Sequence, residues 1–202
     1  ASAFATGYDT VFAVAGGVGQ VDAFTGPGLH TATLNNHGSV TSVAHARAKA
    51  KSGDLYSDRA GALSFGAGQL VVGQSATASI TNAAGAHITA QATATASDLG
   101  DVYALGAAFG AAQGALSFGG DATVSLVNDG VINAEVSVYA SSTYGNAAVA
   151  VPLGDLYDLA VSSLPFPIPG PRPTGYLPGF GALAAGSLQG ATAFGGDASV
   201  SL

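Results

Sequence analysis

The chain has no cysteine, no tryptophan and no methionine, and only 8% of its 202 residues are charged. Without cysteine there are no disulfides and no thiolate metal sites, a composition compatible with passage through an oxidising compartment. Lysine and arginine together number 5, and their one cluster is Arg47, Lys49 and Lys51. Neutralising phosphates needs a broader positive surface, so nucleic-acid binding is disfavoured; the net charge of −7 comes from scattered carboxylates. No run of roughly 18 apolar residues escapes polar interruption, which speaks against a membrane-spanning helix. No helical periodicity stands out, and with it goes any glycine-rich phosphate loop leading into a helix. No charged stretch followed by an apolar one opens the sequence, which leaves any export signal removed or outside this segment.

What is present is glycine (30 residues), abundant alanine and repetition. Asn36, Asn82 and Asn128 stand 46 residues apart, each two residues after a branched apolar residue and shortly before Gly38, Gly85 or Gly130. The segments around them read HTATLNNHGSVTS from His30, ATASITNAAGAHITA from Ala76 and ATVSLVNDGVINA from Ala122, with a truncated ASVSL from Ala198. A second block, GALSFGAG at Gly61, QGALSFGGD at Gln113 and QGATAFGGD at Gln189, precedes the last three copies, and QVDAFTG at Gln20 is a weaker version before the first. A third is GDLY at Gly53, GDVY at Gly100 and GDLY at Gly154. Three blocks recurring in one order make residues 1–202 a single repeat array, with copies near 30–75, 76–121, 122–197 and 198–202. A repeat distributes residues for stacking, whereas catalysis needs a constellation that occurs once.

Within the copies the period is two. Val43 to Lys51 places Ala on one face and His45, Arg47, Lys49 and Lys51 on the other, as a half-buried strand requires. Its counterparts from Ile88 and Ile132 give inward columns Val40/Ile88/Ile132, Ala44/Ala92/Val136, Ala46/Ala94/Val138 and Ala48/Ala96/Ala140. Shorter strands alternate Ala32 and Leu34, Ala78 and Ile80, Val124 and Leu126 against outward Thr and Ser. The Asn and Gly turns join short strand to long, with Gly expected to supply positive φ and Asn to bond local backbone or its equivalent one coil on. Methyl groups bury little area each, so long ladders and neighbour stacking must hold the fold. The expected class is all-β, a parallel β-solenoid with a flattened Ala-rich core; the alternative is a β-sandwich of repeated hairpins. Forty-six residues fit one wide coil or two of about 23.

The stretch from Leu126 to Leu202 is 30 residues longer than that period, and the excess is a Pro-rich excursion over 151–180. Its prolines cannot donate to a ladder. It reads either as a surface loop padding a sheet edge or as a contact arm whose Phe166, Ile168, Tyr176, Leu177 and Phe180 dock on a neighbouring subunit. Ala1 to Thr6 looks like the tail of a long strand, and Leu202 stops where other copies run into the Asn turn. The sequence therefore reads as a segment of a longer array or as a subunit that associates with itself end to end.

The string Leu126-Val127-Asn128-Asp129-Gly130-Val131-Ile132-Asn133-Ala134 resembles the repeats of large bacterial surface proteins of the haemagglutinin and autotransporter-passenger type, and the likeness covers about two thirds of the chain. That resemblance implies a secreted, elongated β-helix at a Gram-negative cell surface, serving adhesion, biofilm or fibre formation. The residues point to no catalytic, metal or cofactor site. Asp54, Asp101 and Asp155 recur at equivalent positions, as turn carboxylates do, with a Ca²⁺ site bridging coils as the alternative. His30, His37, His45 and His87 are dispersed. Glycans, either O-linked to the Thr and Ser rows or bound by a face, are the other partners considered.

Overall fold

The computed structural model describes residues 1–23, 27–49, 58–145, 147–149, 151–152, 176–177 and 182–202. Alternating small and polar residues become strands, and three of them make one coil. The first coil is β1 (Ser2–Gly7), β2 (Thr10–Ala23) and β3 (Leu29–Asn36); the second is β4 (Ser39–Lys49), β5 (Asp58–Gly73) and β6 (Ser75–Asn82). The third is β7 (His87–Asp98), β8 (Val102–Ser117) and β9 (Ala122–Asn128). The fourth has β10 (Val131–Ser142), β11 (Ala147–Val149), β12 (Val151–Pro152), β13 (Tyr176–Leu177), β14 (Ala182–Ala193) and β15 (Ala198–Ser201). Among the described residues there is no helix long and apolar enough to cross a membrane.

Like strands of successive coils pair in parallel. Sheet one runs β1-β4-β7-β10, sheet three runs β15-β9-β6-β3, and sheet two runs β2-β5-β8 with both β11 and β14 on β8. This is a parallel β-solenoid. A sandwich of hairpins needs antiparallel neighbours, and among the described residues the antiparallel pair is the short β12–β13 contact. Partners one coil apart, such as Leu29 and Ser75 or Thr10 and Arg59, are separated by 46 and 49 residues, so each repeat is one wide three-stranded coil and not two narrow ones.

The long strands of sheet two face both other sheets. Ala60 and Ala62 pack with Ala90 to Ala96 of sheet one, while Val71 packs with Ala76 and Ala78 of sheet three. The cross-section is therefore two layers deep. The columns run through the coils in register: Val40, Ile88 and Ile132 are stacked partners, as are Ala44, Ala92 and Val136. Ala92, Ala94, Ala96, Ala104 and Ala108 are almost entirely buried, so layers lined with methyl groups close on one another.

Where sheet two passes from facing sheet one to facing sheet three, its in–out alternation slips by one residue. Phe65 is half-buried and outward, but Gly66 and Ala67 are both buried; Gly110 and Ala111 repeat the pattern. Gly17, Gly66 and Gly110 form a column opposite Val40, Ile88 and Ile132. A Cβ on Gly66 would lie 2.5 Å from both Ile88 Cγ2 and the Gly110 carbonyl oxygen, so glycine is required by close approach and not by φ.

The excursion interrupts one strand. Val149 pairs with Ala104 and Ala182 pairs with Gly106, so β11 and β14 together fill the place of one strand over β8, with Leu105 alone between them. β12 and β13 run antiparallel where the chain leaves and returns. Tyr176 and Leu177 belong to that stem. Phe166, Ile168 and Phe180 lie outside the described residues, as do Asp54 and Asp155.

Candidate functional site

The buried polar side chains are laid out along the solenoid axis. The Asn turn follows sheet three, and its in-register pairing brings Asn36, Asn82 and Asn128 into a row. Asn36 Nδ2 donates to Asn82 Oδ1 at 2.8 Å and Asn82 Nδ2 to Asn128 Oδ1 at 2.7 Å. The second proton of each nitrogen goes to a carbonyl of the next turn: Asn36 to His87 O at 3.2 Å, Asn82 to Val131 O at 3.3 Å. Asn82 is wholly buried and Asn36 nearly so. A buried amide without partners is costly, so register is held where these bonds can form.

The glycines of these turns differ from expectation. Among them only Gly85 has positive φ, at 77°, because Asn82-Ala83-Ala84-Gly85 is one residue longer than the other two turns. Gly130 is needed for space instead: a Cβ there would lie 2.4 Å from Ala86 O and 2.6 Å from Ala83 O of the coil below. At Gly38 nothing stands within 4 Å of such a Cβ.

A second ladder, which the repeat pattern alone does not reveal, crosses the interior. Gln69 Nε2 donates to Gln20 Oε1 at 2.7 Å, Gln113 to Gln69 at 3.0 Å, and Gln189 to Gln113 at 3.0 Å. Each nitrogen also donates across to sheet three: Gln20 to Thr33 O, Gln69 to Ser79 O, Gln113 to Ser125 O and Gln189 to Ser201 O. The Gln20, Gln113 and Gln189 blocks carry the signal, but matching GALSFGAG at Gly61 with QGALSFGGD hides Gln69. The structure corrects that match. Phe65 stacks on Phe109 with centroids 5.4 Å apart, and Phe118 on Phe194 at 6.1 Å, so the two Phe motifs occupy different columns.

Other polar groups pair locally. Ser64 Oγ donates to the buried Ser42 hydroxyl at 2.8 Å, His30 contacts Asp22 at 3.4 Å, and His45 stacks on Phe4. In the outward Ser and Thr rows, Ser125 Oγ donates to Ser79 Oγ at 3.1 Å. An open, mostly apolar groove on the outer face of sheet two is lined by Gly19, Gly68, Ala112, Phe65, Leu70 and Leu188.

Asp58 is the exception among the buried polar groups of the described residues. Its Oδ1 accepts the Asp9 N–H at 3.1 Å, while Oδ2 is buried without a hydrogen-bond partner. Burial, and then the charge of Asp98, push its carboxyl above the ordinary carboxylate range; the Asp9 N–H opposes this, and the Asp9 charge adds a lesser push upward. Among the described residues no three His, Asp or Glu side chains are grouped to hold a metal ion. The Asp101 carbonyl accepts the Asp58 N–H at 3.0 Å. A carboxyl with a raised folded pKa contributes stability below its unfolded pKa and loses it as pH rises through the folded value. The stability difference between wild type and Asp58→Asn is therefore expected to move against the wild type from acid to neutral pH. Urea midpoints across that range check this; a pH-independent difference would contradict it.

Comparison of the chain with protein-family models, with curated proteins and with solved structures gives no match.

Proposed function

We propose that the protein is a non-catalytic structural protein, whose coils stack on those of further copies into an elongated extracellular fibre or stalk. The observation that carries this reading is the use made of two axial rows of amide side chains, buried in the middle coils and more open at the ends. Asn36, Asn82 and Asn128, and Gln20, Gln69, Gln113 and Gln189, are committed to bonds between coils, which is what a ladder under axial tension needs. Among the described residues no strand covers the outer edges of β1, β2 and β3, or of β10, β14 and β15. Such edges carry unpaired N–H and C=O groups and template further strands. A bacterial cell surface as the location rests on the resemblance carried by the NxG repeat.

Stacking is opposed by the net charge of −7, which salt screens. Sedimentation over rising protein concentration is expected to show species that grow with concentration and grow further as ionic strength is raised from about 10 mM to 150 mM. A monomer at every concentration and salt would contradict the proposal.

A further inference from the structure

We propose that copies of this chain join head to tail, with the outer edge of the fourth coil seated on the outer edge of the first coil of the next copy, in the register the coils already use. This rests on the self-stacking reading above and adds to it a polarity and a residue-by-residue joint.

The polarity comes from the glutamine ladder. Every rung donates towards the first coil: Gln189 to Gln113, Gln113 to Gln69, Gln69 to Gln20. The amide orientation is set independently by sheet three, because the second proton of each nitrogen points at a backbone carbonyl that can only accept, as at Ser79 and Ser125. The fourth coil therefore ends in the Gln189 carbonyl oxygen, an acceptor. The first coil ends in Gln20, whose nitrogen has given one proton to Thr33 O and has the other left. Head to tail, donor meets acceptor; like edge to like edge sets acceptor against acceptor or donor against donor.

The rest of the joint agrees with that direction. Carrying the observed pairing one coil further puts Ala13 on Ala182, Gly17 on Gly186 and Gln20 on Gln189 in sheet two. In sheet one it puts Ala3 on Val136 and Ala5 on Val138. In sheet three Thr31 falls on Ser199 and Ala32 on Val200. Small or branched residues meet small or branched residues. Val200, half exposed now, would be covered. An interface between two different edges that repeats the axial stacking of the coils leaves a free edge at each end, so it yields a filament and not a closed dimer.

The test uses Thr31 and Ser199, both exposed, in a chain that has no cysteine of its own. Thr31→Cys and Ser199→Cys are prepared separately, mixed, assembled and oxidised, then run on a non-reducing gel. Adjacent strands place paired Cα atoms within disulfide reach, and an assembled joint raises the local thiol concentration, so the mixture is expected to give about tenfold more cross-linked dimer than either variant alone. As much dimer from either variant alone, or assembly of the mixture without cross-linking above that background, would overturn the head-to-tail joint and leave self-stacking standing. If wild type itself stays monomeric at the same concentration, both fall.

Discussion

Replacing Gly110 by alanine is expected to cost about 3 kcal/mol or more of stability, beyond most overpacking substitutions. The added Cβ would lie 2.3 Å from Ile132 Cγ2 and 2.6 Å from the Gly186 carbonyl oxygen. A side chain can turn aside, but the Gly186 backbone is part of β14, which pairs with β8 on both sides of this point. The damage should also spread, because Gly110 is where the alternation of β8 slips from facing sheet one to facing sheet three. Gly19→Ala is the control: its Cβ would meet nothing within 4 Å, and a change within roughly 0.5 kcal/mol is expected. Adding Ile132→Ala to Gly110→Ala should recover only part of the loss, since the carbonyl contact remains. Urea unfolding followed by circular dichroism reads all three; equal stability of Gly110→Ala and Gly19→Ala would contradict the close approach of the two layers.

The second large effect is expected at Asn82. Asn82→Asp keeps the shape and still accepts from Asn36, but it removes the protons given to Asn128 Oδ1 and Val131 O. A carboxylate would then face two acceptors in a fully buried site. Leaving a buried charge without compensation costs on the order of 3–5 kcal/mol, whereas Asn82→Ala, which leaves neutral groups unpaired, should cost about 2. The introduced carboxyl would have a raised folded pKa, so its penalty is present at neutral pH and fades as pH falls through that value. Thermal unfolding at neutral and acid pH checks this: the gap between Asn82→Asp and Asn82→Ala should narrow on acidification. A gap that widens would mean that the amide row is not where the register is held.

Strands and columns were legible in the sequence because their cause is local. A period of two along Val43–Lys49 can bury only one face, and the recurrence of Val40, Ile88 and Ile132 at matching places is enough to identify them as stacked partners. The Asn spacing was legible for the same reason. The width of the coil was not, since the first coil turns at Gly7-Tyr8-Asp9 without the GDVY block that marks the corner at Leu99-Gly100-Asp101; among the described residues Asp9 is the one non-glycine with positive φ, at 65°. Gln69 was hidden by a motif that recurs out of phase: GALSF at Gly61 looks like GALSF at Gly114, yet the strands align Gln69 with Gln113 and Phe65 with Phe109. Packing chose that register, because it stacks Gly66 on Gly110 beneath the branched column and lets Gln69 and Gln113 each find both an amide and a carbonyl. The glycine column itself was invisible as a column, since its cause, a branched side chain one layer away, is not a neighbour in sequence.

Stacking within one copy is expected to continue between copies, and fibre diffraction from aligned assemblies tests this most directly. Strands perpendicular to the axis at about 4.8 Å spacing predict a meridional reflection at that spacing, and four coils per copy predict an axial subunit repeat of about 19 Å. Finding the 4.8 Å reflection on the equator, or a subunit repeat unrelated to four coils, would contradict it.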